Sequence, residues 1–104
     1  MNYVKSYEEE TLNREEVEQR PGTWVLEFGA NWCGYCIAAQ KDIETVLSPM
    51  TEVHHEKIAD GPGRPLGRSY RIKLWPTLIL IHDGKEIDRV VRPTSAEQIR
   101  QLFS

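Results

Sequence analysis

The chain has 104 residues, of which 39% are hydrophobic and 28% are charged, and its formal net charge is -3 at pH 7. This size fits one domain, predicted to cover residues 1–104, and lets the chain bury roughly two thirds of the surface that it exposes when unfolded. The lack of a basic cluster argues against a nucleic acid partner. No segment is long and apolar enough for a membrane span.

The first part of the chain alternates predicted helices and strands. Tyr3 to Tyr7 is predicted as a short edge strand, and Asn13 as the start of a helix that ends at Pro21-Gly22. The continuous apolar run at 24–28 is typical of a strand buried on both faces. A helix from about Cys33 to Leu47 is expected to follow it directly.

The middle of the chain is less regular. Glu52 to Ala59 is predicted as a second central strand, in which the adjacent His54 and His55 point to opposite faces. The glycines and prolines at 60–65 predict a flexible connector, since these residues favour turns. A short helix is expected around Leu66 to Tyr70.

The last part predicts a hairpin and a helix. The apolar run at 77–81 and the alternating segment at 86–91 flank Asp83-Gly84, which is a turn signal between antiparallel strands. Thr94 to Glu97 is predicted as a capping box that opens an amphipathic helix. Its apolar side would carry Ile99, Leu102 and Phe103. This order of elements predicts an α/β fold, with a mixed sheet covered by helices on both faces.

The chain's two cysteines, Cys33 and Cys36, stand where the first buried strand passes into a helix. Residues i and i+3 on a helix lie about 5–6 Å apart, within the separation that a disulfide accepts. Cys33, at the helix start, would be stabilised as a thiolate and act as nucleophile. Cys36 would be shielded, with a higher pKa, and act as the resolving thiol.

Two cysteines can also bind a metal or form a structural disulfide. A structural zinc or an iron–sulfur cluster usually needs four ligands, and beyond the cysteines the chain offers only His54, His55 and His82. A purely structural disulfide would close a loop too short to stabilise the fold much. We therefore expect no metal and no organic cofactor.

Three stretches occur in a familiar order: Phe28 to Cys36, then Trp75-Pro76-Thr77 before an apolar strand, then Asp83-Gly84. On these residues the chain resembles the thioredoxin family over nearly its whole length. The resemblance implies the thioredoxin fold, a central mixed β-sheet flanked by helices on both faces. It also implies a cis bond before Pro76, beside the cysteine pair, that exposes the backbone of Trp75 for a substrate strand to pair with.

Glu27 is a carboxylate within the buried apolar strand, which is costly unless it is protonated, paired or hydrated. The thioredoxin family places an acid here, so the resemblance implies that Glu27 lies beneath Cys36 and exchanges its proton, through a water. We expect a raised pKa, since such carboxyl groups cluster at functional sites. The alternative is a side chain that reaches solvent.

The chain also departs from the family. Tyr35 stands between the cysteines where thioredoxins usually have proline, and Gly34-Tyr35 is similar to the pair in periplasmic disulfide isomerases. Trp75 is bulkier than the usual residue, and Arg92 replaces a glycine, although Arg92 could equally be a solvated strand end. The residues predicted to bind substrate are Trp32, Gly34, Tyr35, Trp75, Pro76 and Arg92.

The predicted function is that of a thiol-disulfide oxidoreductase that reduces protein disulfides, with Cys33, Cys36 and Glu27 as catalytic residues. The resemblance implies a monomer whose electrons come from a separate reductase or thiol pool. A disulfide isomerase or oxidase using the same site, and a non-enzymatic binding module, are the alternatives. The N-terminus lacks a signal-like segment, so we expect a cytoplasmic protein, although an exported mature domain with an added methionine would look the same. In the cytoplasm a Cys-x-x-Cys pair is more plausibly catalytic than structural.

Overall fold

The computed structural model of the chain describes residues 3–9 and 12–104. Helices and strands alternate first, and a hairpin and a helix close the chain, in the predicted order. The elements are α1 (Arg14–Glu18), β1 (Thr23–Gly29), α2 (Gly34–Leu47), β2 (Val53–Ala59), α3 (Pro65–Ser69), β3 (Thr77–His82), β4 (Lys85–Val91) and α4 (Ala96–Arg100), which continues as a 3-10 turn over Gln101–Phe103.

The strands form a mixed sheet in the order β2-β1-β3-β4. β1 runs parallel to β2 and antiparallel to β3, and β4 completes the predicted hairpin with β3. Asp83 and Gly84 both have positive φ, 49° and 83°, as the two-residue turn of such a hairpin requires. The mixed sheet is therefore confirmed. β1 is an interior strand of this sheet, and the chain leads from its C-terminal end to the two cysteines.

Two predictions about strands were wrong. β2 was expected in the centre of the sheet, but among the named strands it lies at the edge. Tyr3 to Tyr7 forms no strand, and the N-terminal segment touches β2 through one parallel bridge, between Glu8 and Ile58. The reason is that side chains take the backbone groups of this segment: the N–H of Val4 donates to His55 and that of Tyr7 to Asn31.

Helices cover both faces of the sheet, as predicted. On one face, α2 and α4 pack through residues such as Ile43 and Ile99 against Val25 of β1. On the other face, α1 and α3 contribute Val17 and Leu66, which join Leu26 of the same strand. Because successive residues of β1 point to opposite faces, its continuous apolar run serves both layers.

Helix capping matches the sequence at one end of the chain and departs from it at the other. Asn13 and Glu16 form the capping box of α1. At α4 the cap is Ser95 rather than Thr94: its Oγ accepts from the N–H of Gln98 at 3.3 Å. The Gln98 side chain in turn accepts from the N–H of Thr94 at 2.8 Å. The box predicted over Thr94 to Glu97 is thus displaced by one residue, because the helix begins one residue later.

Within the described ranges, no helix has the length and apolarity that crossing a bilayer demands.

Candidate active site

The two cysteines lie at the N-terminus of α2, as predicted. Cys33 is the N-cap residue, and its Sγ accepts a hydrogen bond from the Cys36 N–H at 3.3 Å. Both are free thiols. Cys33 keeps 7% of its surface exposed, whereas Cys36 is fully buried. Cys33 is therefore the less buried of the two thiols, and the helix N-terminus favours negative charge on it.

The buried position of Cys36 has an electrostatic consequence. Burial and, after it, the hydrogen bond with Cys33 raise the pKa of its thiol, the Ala30 backbone and Tyr7 lower it, and the net pKa is about 11. The expectation of a shielded inner thiol with a raised pKa is confirmed. Such a thiol needs a proton acceptor to react at neutral pH.

Glu27 lies on β1 behind the cysteines, and its side chain is completely buried, so the solvent-reaching alternative was wrong. His55 contacts its Oε1 at 2.8 Å, and the Gln40 amide donates to Oε2 at 2.8 Å. The Tyr7 hydroxyl donates to the same Oε2. Lys57, which is the β2 residue paired with Glu27 in the sheet, donates to the Gln40 Oε1 at 2.7 Å.

The neighbours of His55 fix its proton. The Val4 N–H donates to Nδ1 at 2.9 Å, so this ring nitrogen must be the unprotonated acceptor. The remaining nitrogen, Nε2, then carries the proton and donates it to Glu27. His55 is consequently a hydrogen-bond donor that supports a negative charge on the carboxylate.

Glu27 is held ionised, and the expectation of a raised pKa was wrong. Burial by itself raises the pKa of this carboxyl, but the His55 hydrogen bond, the positive charge of Lys57 and the Tyr7 hydrogen bond together bring it below its usual value. Burial lowers the pKa of Lys57, against the opposing charges of Glu27 and Cys36. Sequence reasoning missed these partners because they lie in the N-terminal segment and in β2, far from Glu27 in sequence.

Tyr7 is the most important residue that the sequence did not indicate. Besides donating to Glu27, its hydroxyl lies close enough to the Cys36 thiol to lower the pKa of that thiol, so one side chain stands between carboxylate and thiol where a water was expected. Asn31 clamps the Tyr7 backbone, accepting from its N–H at 2.9 Å and donating to its carbonyl at 3.1 Å. A Cβ at Gly29 would lie 2.6 Å from the Cys36 sulfur and 2.8 Å from the Tyr7 hydroxyl oxygen, so the glycine makes room for both.

The opposite side of the cysteine pair is built from tryptophans. The Trp75–Pro76 bond is cis, as the resemblance implied. Trp75 packs beside the cysteines and donates from its indole nitrogen to Asp60 at 2.9 Å. Trp32 is 77% exposed and meets Trp75 edge to face, with ring centroids 5.6 Å apart. These rings form an apolar wall next to the accessible sulfur.

Arg92 also belongs to this side, so the alternative of a solvated strand end was wrong. Its backbone N–H donates to the Pro76 carbonyl at 2.8 Å, and its side-chain Nε donates to the Trp75 carbonyl at 2.8 Å. Its guanidinium lies 3.9 Å from the ring centroid of Tyr35. Gly34 is different: a Cβ there would meet nothing within 4 Å. The site therefore shows no steric need for glycine between the cysteines.

Comparisons with known proteins agree with this geometry. The thioredoxin family model matches residues 4–104. The chain is 34% identical over 83 residues to a thioredoxin of Chlamydia caviae, which covers 80% of this chain and 81% of the relative. Reduced thioredoxin 2 of Pseudomonas aeruginosa superposes with a TM-score of 0.86 and 46% identity, over 97% of this chain and 94% of that one. A thioredoxin of Halobacterium salinarum superposes at 0.73 with 26% identity, over 93% and 85% of the two chains.

Proposed function

The chain belongs to the thioredoxin family of thiol-disulfide oxidoreductases, and we propose that it reduces protein disulfides by dithiol–disulfide exchange through Cys33 and Cys36. The observation that carries the proposal is the asymmetry of the pair: a slightly exposed cysteine at a helix N-terminus stands in front of a fully buried one that lies beside a polar network. This asymmetry provides one nucleophile for the substrate and one for the intermediate.

The exchange has two steps. The Cys33 thiolate attacks a substrate sulfur, which forms a mixed disulfide and releases the other substrate sulfur as a thiolate that takes a proton. The Cys36 thiolate then attacks the Cys33 sulfur, which forms the Cys33–Cys36 disulfide and frees the second substrate thiol. Two electrons pass to the substrate, and a separate dithiol reductase or a pool of small thiols returns them.

The second step requires Cys36 to lose its proton, and the polar network provides a route. The thiol proton passes to the Tyr7 oxygen while the Tyr7 hydroxyl proton passes to the Glu27 carboxylate. Burial and the charge of Glu27 raise the pKa of Tyr7, so the phenol relays a proton without itself becoming ionised. Glu27 is then the base, and Tyr7 replaces the expected water.

Substrate docking is assigned to the opposite side. Trp32 and Trp75 supply apolar contacts, and the backbone before Pro76 pairs with the substrate strand. Tyr35 and Arg92 border the same approach, and Gly34 leaves its helix start uncovered. The partners are disulfide-containing proteins and the electron donor, with the chain acting as a monomer.

Turnover with insulin and dithiothreitol tests the assignment of the cysteines. We expect Cys33→Ser to abolish catalysed reduction, because the attacking sulfur is lost. Cys36→Ser keeps the first step and loses the second, so it should accumulate a mixed disulfide that mass spectrometry detects. The two variants control each other, since each removes one thiol. Full turnover by Cys33→Ser would rule out the scheme.

The reduction potential separates the reductase from the isomerase or oxidase alternative. That alternative rests on the similarity of Gly34-Tyr35 to the pair in periplasmic disulfide isomerases. Equilibration with dithiothreitol or glutathione, followed through Trp32 fluorescence, gives this value. The reduction potentials of reducing members of the family are about -270 mV, and those of strong oxidants are about -120 mV. A value towards the reducing end is expected, and one towards the oxidising end would favour the alternative.

A further inference from the structure

Arg92 occupies the backbone group that a docking substrate needs. Its Nε donates to the Trp75 carbonyl at 2.8 Å, and that carbonyl precedes the cis bond at Pro76. A substrate strand pairing with Trp75, as the proposed function requires, would donate its own N–H to the same oxygen. Arg92 therefore competes with the substrate backbone at the first contact beside the cysteines.

The conformation of Arg92 shows that this contact is built into the fold. Its φ is 49°, in the left-handed region that a residue with a side chain adopts only at a cost. Its backbone N–H is fixed on the Pro76 carbonyl at 2.8 Å, and its guanidinium stacks 3.9 Å from the Tyr35 ring centroid. The side chain thus spans the approach from Trp75 to Tyr35.

The charge of Arg92 is not neutralised by this arrangement. Within residues 3–9 and 12–104, it takes part in no ion pair. A carbonyl oxygen and an aromatic face hold it, and neither carries a full negative charge. A carboxylate binds a guanidinium more strongly than a carbonyl does, through charge-assisted and often paired hydrogen bonds.

More positive charge lies on the other side of Trp75. A cavity of about 270 Å³ there is lined by Trp75 and Asp60 together with Arg64, Arg68 and Lys73. Asp60 already accepts the indole hydrogen bond, and Arg64 is paired with Glu9. In this lining the three basic side chains outnumber Asp60, although the chain as a whole carries a net charge of -3. On the other flank, Asp42 lines the pocket that Arg92 shares with Tyr35, but it forms no ion pair with Arg92.

We infer that Arg92 makes this protein selective for disulfides flanked by an acidic residue. This inference rests on the proposed function and names its substrate class: a peptide segment with Asp or Glu beside the cysteine that Cys33 attacks. The substrate carboxylate takes the guanidinium from the Trp75 carbonyl, and that oxygen becomes free for the substrate N–H. A neutral or basic segment has no group that releases Arg92, so it docks poorly.

The test uses two disulfide peptides that differ only in one residue beside the attacked cysteine, glutamate in one and lysine in the other. The quantity measured is the ratio of their kcat/KM values with the reduced protein. We expect the wild type to favour the acidic peptide about tenfold, as a partly exposed charge contact allows. High salt should reduce this ratio, because it screens exposed charges.

Arg92→Gly and Arg71→Gly form a matched pair of variants. Both arginines have left-handed backbones, with φ of 49° and 57°, so glycine suits both sites and each variant loses one positive charge. Arg92→Gly should lower the ratio to about twofold, whereas Arg71→Gly should keep the wild-type ratio. Comparing the variants on the same peptides cancels any intrinsic difference in peptide reactivity.

Two results would overturn the inference: a wild-type ratio of one or below, or an unchanged ratio in Arg92→Gly. A third result would overturn the proposed function as well. If the reduced wild type, with two titratable thiols, reduces neither peptide while dithiothreitol reduces both, the proposed function fails and the selectivity falls with it.

Discussion

The two sides of the cysteine pair are built on opposite principles. In front, Trp32 is 77% exposed and Tyr35 61% exposed, and they touch their neighbours through ring faces and edges. Behind, Glu27 is fully buried, and both of its oxygens accept hydrogen bonds from side chains. The front can yield to a substrate at little cost in stability, whereas the back resists change and holds a charge in place for proton transfer.

The largest expected effect on stability comes from removing the negative charge behind the cysteine pair. Glu27→Gln keeps the shape of the side chain but leaves the nearly buried Lys57 without its carboxylate. We expect the free energy of unfolding at pH 7 to fall by about 3 kcal/mol, as when one partner of a buried pair is removed. Chemical denaturation measures the change. Glu97→Gln is the control, because Glu97 is exposed in a 3.9 Å ion pair and should cost less than about 0.5 kcal/mol.

The same variant carries a pH signature. Since the pKa of Glu27 lies below its usual value of 4.5, its carboxylate stabilises the fold above that pH and stops doing so as pH falls through the folded-state pKa. Glu27→Gln should therefore lose less stability than the wild type on acidification below about pH 4.5. If the two proteins lost the same free energy of unfolding on acidification, this would contradict the ionised state of Glu27.

Removing the Tyr7 hydroxyl tests the relay. Tyr7→Phe keeps the ring but breaks the link between Cys36 and Glu27, so release of a chromophoric thiol from a preformed Cys33 mixed disulfide should slow about 100-fold at pH 7. The loss should shrink as pH approaches the Cys36 pKa of about 11, where hydroxide can remove the thiol proton.

Tyr3→Phe is the matched control for this variant. The Tyr3 hydroxyl donates to Gln40 at 2.7 Å and so belongs to the same network, but its partner there is Gln40 rather than Cys36. It should leave the release rate within about twofold of the wild type, because no acid–base group on the sulfur is lost. Equal slowing by both tyrosine variants would mean that the network acts only by supporting the structure.

The inner thiol predicts a smaller effect on stability at alkaline pH. Because the Cys36 pKa is raised from its usual 9.0 to about 11, the unfolded thiol ionises first as pH rises. The contribution of this group is complete below pH 9 and is lost between about pH 9 and 11. Cys36→Ala should remove that part of the decline in a comparison of denaturation curves with the reduced wild type.

The smallest effect on stability is expected at the front. Trp32→Ala removes a ring that is 77% exposed, so the free energy of unfolding should change by less than about 0.5 kcal/mol. The KM for a disulfide substrate should nevertheless rise several-fold, since the ring lies beside the accessible sulfur. A destabilisation comparable to that of Glu27→Gln would erase the contrast between the two sides.

The sequence by itself determined the layered fold and the reactive pair. Local patterns carried this information. The apolar run of β1 indicates a strand buried on both faces, Asp83-Gly84 specifies the turn between β3 and β4, and the spacing of Cys33 and Cys36 places them on one helix face. Each of these signals needs only a few neighbouring residues, which is why they survive without any knowledge of tertiary contacts.

Tertiary structure alone decided the surroundings of the pair. Tyr7 lies 20 residues from Glu27 in sequence and His55 lies 28 residues from it, and no local pattern links such positions. Their hydrogen bonds, together with the positive charge of Lys57, lowered the pKa of Glu27 where a raised pKa was expected. From the sequence, Arg92 could be described only as replacing a glycine of the family. The structure shows its contact with the Trp75 carbonyl, 17 residues away. Charge, protonation and access depend on what surrounds a group in space, so only the folded chain could fix them.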